Sequence, residues 1–319
     1  MLAKIEKLIK DGRDFLVTTH IDPDGDAIGS VFALALALDG AGKKATVYLK
    51  DTVPYRYDFL PRPGRLVHSL PEGSCDTVFV LDCGSLFRVG DGHERLLSTG
   101  TLINIDHHET NDLFGHVNLL DREASSTGEI IYRLLRSMKL EIGHDIAVNI
   151  YTAIFTDTGS FRYDNTGLAA FRICEEMVKA GVRPAAVAAM IYENHPKERF
   201  LILGEVLRTL RTFDNDRVVF AHITEEMFRK TGTNPEFIDG FAEYIKQMRG
   251  VEVAVLLREI GRDRYKISMR GKGDVDVAAI CNAFGGGGHK KAAGCHMEGA
   301  IPEVEERLLK AFSAQRATI

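Results

Sequence analysis

Residues 14–30, DFLVTTHIDPDGDAIGS, constrain the fold more than any other stretch of this chain. Phe15, Leu16, Val17, Thr18 and Thr19 are apolar or β-branched and read as a short buried strand, and residues 27–38 read as a helix. Between them His20, Asp22, Asp24 and Asp26 put four potential metal ligands within seven residues. They fall at the C-terminal end of the strand, where open α/β sheets form ligand sites. Carboxylates crowded in this way repel one another unless a cation offsets their charge. The stretch therefore predicts an α/β unit with a cation at the edge of its sheet.

The rest of the first half extends that unit. Residues 44–49 (KATVYL) read as a strand, residues 76–82 (DTVFVLD) as another that ends on Asp82, and residues 102–106 (LINID) as a third that ends on Asp106 and runs into His107 and His108. Strand, helix and strand at this spacing predict a parallel sheet with helices on its faces. Its strand ends share one edge, so Asp26, Asp82 and the Asp106-His107-His108 run converge although far apart in sequence. Residues 125–161 turn helical, opening on hydroxyl residues suited to an N-cap and reaching Asp157 at the end of a second helix. Helices over 168–180 and 184–193 follow, and His195-Pro196 interrupts them before a connecting helix over 197–210.

The second half changes character. Residues 217–223, 251–260 and 264–269 read as strands, with Gly261-Arg262-Asp263 as a hairpin turn between the last two. Helices near Glu225 and Phe241, across 276–284 and over 302–314 complete it. The expected class is α/β: a parallel-sheet domain with flanking helices over 1–190, a helical connector over 191–212, and a smaller α/β domain over 213–319. The 319-residue length suits two domains.

Composition narrows the function. Net charge is −5, which gives no general reason to bind duplex nucleic acid, so an anionic substrate must be recognised locally. There is no apolar run long enough to span a membrane. The start, MLAKIEKLIKDGRD, reads as an amphipathic helix with Leu2, Ile5, Leu8 and Ile9 on one face, and not as a signal segment; a cytoplasmic protein is expected. The five cysteines are scattered without a CxxC pair, which suits a reducing compartment and argues against structural zinc.

Asp24, Asp26, Asp82 and Asp157 together carry a formal charge of −4, which two divalent ions would cancel. Carboxylates mixed with imidazole suit Mn²⁺, with Mg²⁺, Fe²⁺ and Co²⁺ as competitors. Two ions bridged by one carboxylate can activate a water and neutralise a phosphate. In the second half a glycine run, Gly285 to Gly288, precedes His289, Lys290 and Lys291. Glycines let backbone N–H groups approach an anion closely, and the lysines add positive charge. The ending required of a Walker A loop is absent.

In four motifs the sequence resembles the DHH phosphoesterase superfamily: His20-x-x-Pro23-Asp24-x-Asp26-x-x-Gly29-Ser30, Asp82-Cys83-Gly84, Asp106-His107-His108 and Thr156-Asp157-Thr158. The glycine run with His289 resembles the signature of the accessory DHHA1 domain, which binds the nucleotide part of the substrate in relatives. The resemblance implies two metal ions, Mn²⁺ being favoured. His20, Asp24 and Asp82 would hold one, and Asp26, His107 and Asp157 the other, with Asp82 as the bridge. His108 would touch the scissile phosphate or assist the leaving oxygen, and Asp106 would orient a histidine. Asp22 matches no required position. Arg270, Gly287, Gly288 and His289 would bind substrate.

Within the superfamily the likeness extends over essentially the whole chain to the two-domain nanoRNase/pAp phosphatases. These enzymes remove mononucleotides from very short 5′-phosphorylated RNA and dephosphorylate 3′-phosphoadenosine 5′-phosphate. Short single-stranded RNA or a nucleotide is thus the implied partner, and a homodimer is compatible with the resemblance. One departure is Gly271, where relatives commonly carry serine after the arginine. The rival readings are a cyclic-dinucleotide phosphodiesterase, a family II inorganic pyrophosphatase, a longer-strand exonuclease and a non-catalytic module that binds single-stranded nucleic acid.

Overall fold

The computed structural model describes residues 1–316; Ala317, Thr318 and Ile319, the last positions assigned to the second domain, lie outside the described residues. The chain divides into two compact units, Met1–Asn194 and a second beginning at His195.

In the first unit six strands form one sheet: β1 (Asp14–Thr18), β2 (Lys44–Tyr48), β3 (Leu66–Val67), β4 (Thr77–Leu81), β5 (Thr101–Asp106) and β6 (Val117–Leu120). All neighbours are parallel, in the order β3-β2-β1-β4-β5-β6. This is the expected parallel sheet, widened by two short edge strands, β3 and β6, which have too few residues to show a periodicity. The helices are α1 (Leu2–Asp11), α2 (Gly25–Gly40), α3 (Leu96–Thr99), α4 (Thr127–Ser137), α5 (His144–Asp157), α6 (Leu168–Lys179) and α7 (Pro184–Tyr192). One sheet face, with Phe15, Val17, Phe79 and Ile103, packs against α1, α2, α4 and α5. The other, with Leu16, Val78, Val80 and Leu102, is covered by the single turn of α3 and by 3₁₀ turns that supply Leu86 and Val89, and not by long helices.

Helix α2 is the interior element. Every residue from Gly25 to Ala35 is buried, as expected of a helix that is apolar on all sides. It begins two residues before the expected start, because Asp24 caps it: one carboxylate oxygen accepts the N–H groups of Asp26 and Ala27, both at 3.0 Å. Asp26 therefore stands in the first helical turn and not in a loop. Gly29 lets α2 approach α5; a Cβ there would lie 2.5 Å from the Asn149 carbonyl oxygen and 3.1 Å from Ala153 Cβ.

In the second unit β7 (Arg211–Phe213), β8 (Val218–Ile223), β9 (Val253–Gly261), β10 (Arg264–Gly271), β11 (Gly287–His289) and β12 (Ala292–Glu298) form a mixed sheet in the order β11-β12-β10-β9-β8-β7. Only β8 and β9 pair in parallel. One face packs on α11 (Val277–Asn282) and α12 (Ile301–Arg316), the other on α8 (Lys197–Leu207) and α10 (Phe241–Lys246), and α9 (Glu225–Thr231) follows β8. Ile202 and Val206 of α8 are buried among the strands of this unit. No helix among the described residues is long and apolar enough to cross a membrane.

These contacts predict opposite effects of one substitution at two helical glycines. Gly29→Ala should destabilise the protein by about 1–3 kcal/mol, because backbone must move to admit the methyl group. At Gly204 of α8 an added Cβ meets nothing within 4 Å, so Gly204→Ala should stabilise by about 0.5–1 kcal/mol through helix propensity. Denaturant midpoints that shift in the same direction for both would contradict the packing described.

Candidate metal centre

In the first sheet the strand order reverses between β1 and β4, and ligands of open α/β sheets bind beyond the strand ends at such a point. His20 follows β1, Asp82 follows β4 directly, and Asp106 ends β5. Asp26 comes from the first turn of α2 and Asp157 is the last residue of α5. Six acids and imidazoles predicted as ligands, and the neighbouring Asp106 and His108, are thus delivered to one edge by five different elements.

The imidazoles show how the cluster is arranged. Nδ1 of His20 lies 2.7 Å from the carbonyl of its neighbour Ile21, and Nδ1 of His107 lies 3.2 Å from the carbonyl of Ala124. A ring nitrogen facing a carbonyl carries the proton, which turns Nε2 toward the acids, where it can ligate a cation. Nε2 of His107 stands 3.6 Å from Asp82, 3.7 Å from Asp157 and 3.8 Å from Asp26, and Nε2 of His20 is 3.7 Å from Asp82. These separations are too long for hydrogen bonds. They approach the roughly 3–3.5 Å expected between donors that sit about 2.1 Å from one cation. The ligand atoms of His20, Asp24 and Asp82 lie within 4.8 Å of one another, as do those of Asp26, Asp82 and His107, and Asp82 belongs to both groups. The donor set therefore suits divalent cations.

Several contacts hold the carboxylates in place. The N-terminus of α4 points at Asp26, whose two oxygens accept Thr127 N–H at 2.7 Å and Gly128 N–H at 2.9 Å, while the Ser30 hydroxyl donates at 2.9 Å. The next N–H of that helix, Glu129, goes to the hydroxyl of the N-cap Ser126 at 3.1 Å, and the Glu129 carboxylate accepts the N–H of the preceding Ser125 at 3.1 Å and its hydroxyl at 2.7 Å, which fixes the helix start. The Thr127 hydroxyl donates to Asp82 at 3.1 Å. Asp82 has a left-handed φ of 51°, and its N–H is tied to the Ile105 carbonyl at 3.0 Å. Asn165 donates to Asp157 at 3.2 Å and to the Ser125 carbonyl at 2.9 Å. Asp106 accepts His107 N–H at 2.9 Å, His108 Nδ1 at 2.6 Å and Asn111 at 2.6 Å. The residues 125–127 carry a sequence signal only as a helix start, and Asn165 and Asn111 carry none that distinguishes them from turn formers.

Charge is out of balance in the cluster. Burial, followed by repulsion from Asp82, Asp157 and Asp24, pushes the Asp26 carboxyl well above the usual range. Asp157 is pushed up to about 7, by burial first, with Asp24 and Asp82 adding to it and His107 opposing. Burial also opposes ionisation of Asp82, but the imidazoles of His20, His108 and His107 outweigh it and hold that carboxyl far below the usual range. Burial would lower His108, yet Asp106 and Asp82 raise it to about 9; against the same burial, Asp82 raises His20. In the opposite sense, His108 overcomes burial to keep Asp106 low.

Asp22 stands apart: it is exposed, has a left-handed φ of 52°, and its N–H bonds Asp51 at 2.7 Å. In the second unit, Arg270 of β10 and His289 of β11 each pair with Ala292 of the intervening β12, which sets the three residues abreast on one sheet face. Glu243 of α10 holds Arg270 through Nε at 2.5 Å, and Arg270 Nη1 donates to the Met269 carbonyl at 3.0 Å. The glycine run leads into an edge strand and is not wholly a loop. Gly288, at φ 140°, brings the backbone against β12, where a Cβ would lie 2.5 Å from the Ala292 carbonyl oxygen.

The model of the DHH family, N-terminal domain, matches residues 14–156, and that of the DHHA1 domain matches residues 215–317. The chain belongs to the DHH/DHHA1 phosphoesterase superfamily. It is similar to the bifunctional oligoribonuclease and PAP phosphatase NrnA of Thermus thermophilus, at 34% identity over 98% of this chain and 92% of that protein. It is also similar to the protein of the same name from Bacillus subtilis, at 25% identity over 86% of each chain. Among solved structures, an exopolyphosphatase-related protein from Bacteroides fragilis superposes with a TM-score of 0.91 at 25% identity, over 99% of this chain and 96% of that one.

The electrostatics predict how the ion-free protein responds to pH. Asp26, Asp157, His20 and His108 all bind protons more tightly when folded, so each contributes stability at low pH that is lost as pH rises through its folded value. For Asp157 the window runs from its unfolded value of 3.8 to about 7, and for His108 from 6.5 to about 9. The melting temperature of chelator-treated protein should therefore fall steadily from pH 5 to pH 9. Saturating Mn²⁺ or Mg²⁺ should raise it most at the alkaline end. A flat profile without ions, or a shift that is independent of pH, would contradict the charge balance described.

Proposed function

We propose that this protein is a divalent-metal-dependent phosphoesterase that hydrolyses very short 5′-phosphorylated oligoribonucleotides to mononucleotides and dephosphorylates 3′-phosphoadenosine 5′-phosphate. The observation that carries the reading is full-length similarity to an oligoribonuclease and PAP phosphatase in a chain whose first unit gathers carboxylates and imidazoles spaced to hold a metal ion. His20, Asp24 and Asp82 would hold one ion, and Asp26, His107 and Asp157 the other, with Asp82 shared. Mn²⁺ fits this mixture of hard oxygen and imidazole donors. When bound, the pair neutralises phosphate charge and lowers the pKa of an attacking water.

Both substrates can be cleaved at the same kind of bond. A water oxygen adds to phosphorus, the bond from phosphorus to the ribose 3′ oxygen breaks, and that oxygen leaves with a proton. His108 supplies the proton from Nε2. Its Nδ1 is bound to Asp106, and the two carboxylates nearest the ring, Asp106 and Asp82, keep the imidazole protonated at neutral pH. Asp106 orients the ring and does not touch the substrate. In the second unit Arg270, Gly287, Gly288 and His289 contribute to substrate binding, the Arg270 guanidinium being suited to a phosphate. The five cysteines, all free thiols, suit a reducing compartment.

The test is turnover, side by side, of a 5′-phosphorylated RNA dinucleotide, 3′-phosphoadenosine 5′-phosphate, a cyclic dinucleotide and pyrophosphate with Mn²⁺. The linear dinucleotide should be cleaved fastest, and the bisphosphate should also react. Asp82→Asn should lower turnover of both by about 10²–10³-fold or more, the scale of losing a principal electrostatic group. Preference for the cyclic compound or pyrophosphate, or full activity in Asp82→Asn, would overturn the proposal.

A further inference from the structure

We propose that Asn111 is a positioning residue for the hydrolysis, acting through Asp106 on His108; the inference rests on the role given to His108 above. Asn111 lies in the loop after β5. Its amide nitrogen is 2.6 Å from Asp106 Oδ2 and 2.8 Å from Asn104 Oδ1, and its amide oxygen accepts the N–H of Leu113 at 2.7 Å. Two short contacts use both amide hydrogens. The opposite orientation would set an oxygen against a carboxylate oxygen and lose the bond from Leu113, so the network admits one placement.

Both ends of this bridge are fixed. Asn104 is buried on β5 and donates to the carbonyls of Val80 and Cys83, both at 3.1 Å, which anchors it to the end of β4. On the loop side, the Leu113 N–H on the Asn111 oxygen fixes the orientation of the amide. At the other end Asp106 is fully buried. Its Oδ1 accepts His107 N–H and His108 Nδ1, and its Oδ2 accepts Asn111. A carboxylate held at both oxygens cannot turn about its own axis, so it fixes Nδ1 of His108 and thereby the direction of Nε2. Removing the Asn111 amide leaves a buried oxygen with one donor fewer and frees that rotation.

A role confined to anchoring the loop would affect all substrates alike, whereas aiming a proton donor matters only where the leaving oxygen needs a proton. The wild type, Asn111→Ala and Asn111→Asp are therefore assayed with Mn²⁺ on a 5′-phosphorylated RNA dinucleotide and on the p-nitrophenyl ester of a nucleoside 5′-phosphate, whose phenolate leaves unprotonated. On the dinucleotide, Asn111→Ala should lower kcat by about 10–100-fold with KM little changed. On the ester the loss should stay below about threefold. Asn111→Asp keeps the size but sets a second carboxylate against Asp106, and should lose more on the dinucleotide while sparing the ester. Calorimetric Mn²⁺ titration of both variants should match the wild type, because Asn111 contacts none of the proposed ligand side chains. Equal losses on both substrates, or weakened Mn²⁺ binding, would overturn the inference. A wild type that cleaves neither substrate would instead overturn the reading of the site.

Discussion

Asp24, Asp26, Asp82 and Asp157 crowd one edge of a parallel sheet, and their mutual repulsion is the constraint to which the rest of the first unit responds. The protein meets it with three imidazoles around Asp82 and two helical N–H groups on Asp26. These do not suffice, since Asp26 and Asp157 remain shifted toward the neutral acid by burial and by their neighbours. A folded protein keeps such an imbalance at the cost of stability, and the reasonable return is affinity for cations. The Nε2 atoms of His20 and His107, each facing carboxylates at 3.6–3.8 Å, are placed to complete the coordination.

The interior of the unit serves that edge. Gly29 lets α2 lie against α5, and Gly128, where a Cβ would collide with Ala153, lets α4 lie against the same helix. The three helices thereby bring the first turn of α2, the first turn of α4 and the last turn of α5 to one point. The start of α4 uses its first N–H groups on Asp26 and on its own N-cap Ser126, so it acts as a rigid electrostatic clamp. Beside the cluster, Asp106 belongs to a second, fully hydrogen-bonded network that runs through Asn111 and Asn104 into the sheet. One network holds charge for a cation, and the other fixes the direction of a histidine.

Much of this is legible in the sequence because the proposed ligands sit where strong signals end. His20, Asp82 and Asp106 each close or follow an apolar β-branched run, and Asp157 closes an apolar helix, so locating the elements locates the residues. The contacts between elements were not legible. Nothing in Thr127, Gly128 or Asn165 announces that they hold Asp26 and Asp157, since their partners lie on other elements. In the second unit the alternation of Ala293, Cys295 and Met297 marks the buried face of β12, but alanine, glycine and cysteine carry little strand propensity, and the strand was not anticipated. The same holds for β11, whose glycines read as a loop signal although close approach to β12 is what requires them. The expected helices flank both faces of the first sheet, but on one they are reduced to α3 and 3₁₀ turns, because the segment between β4 and β5 is broken by turns.

The central claim is that one acid cluster holds two ions around a shared Asp82. Anomalous diffraction at the manganese edge, from crystals equilibrated with Mn²⁺, tests it most directly. The account predicts two peaks in each chain, one between His20, Asp24 and Asp82 and the other between Asp26, His107 and Asp157, with Asp82 touching both. A single peak, or peaks held by other residues, would contradict it.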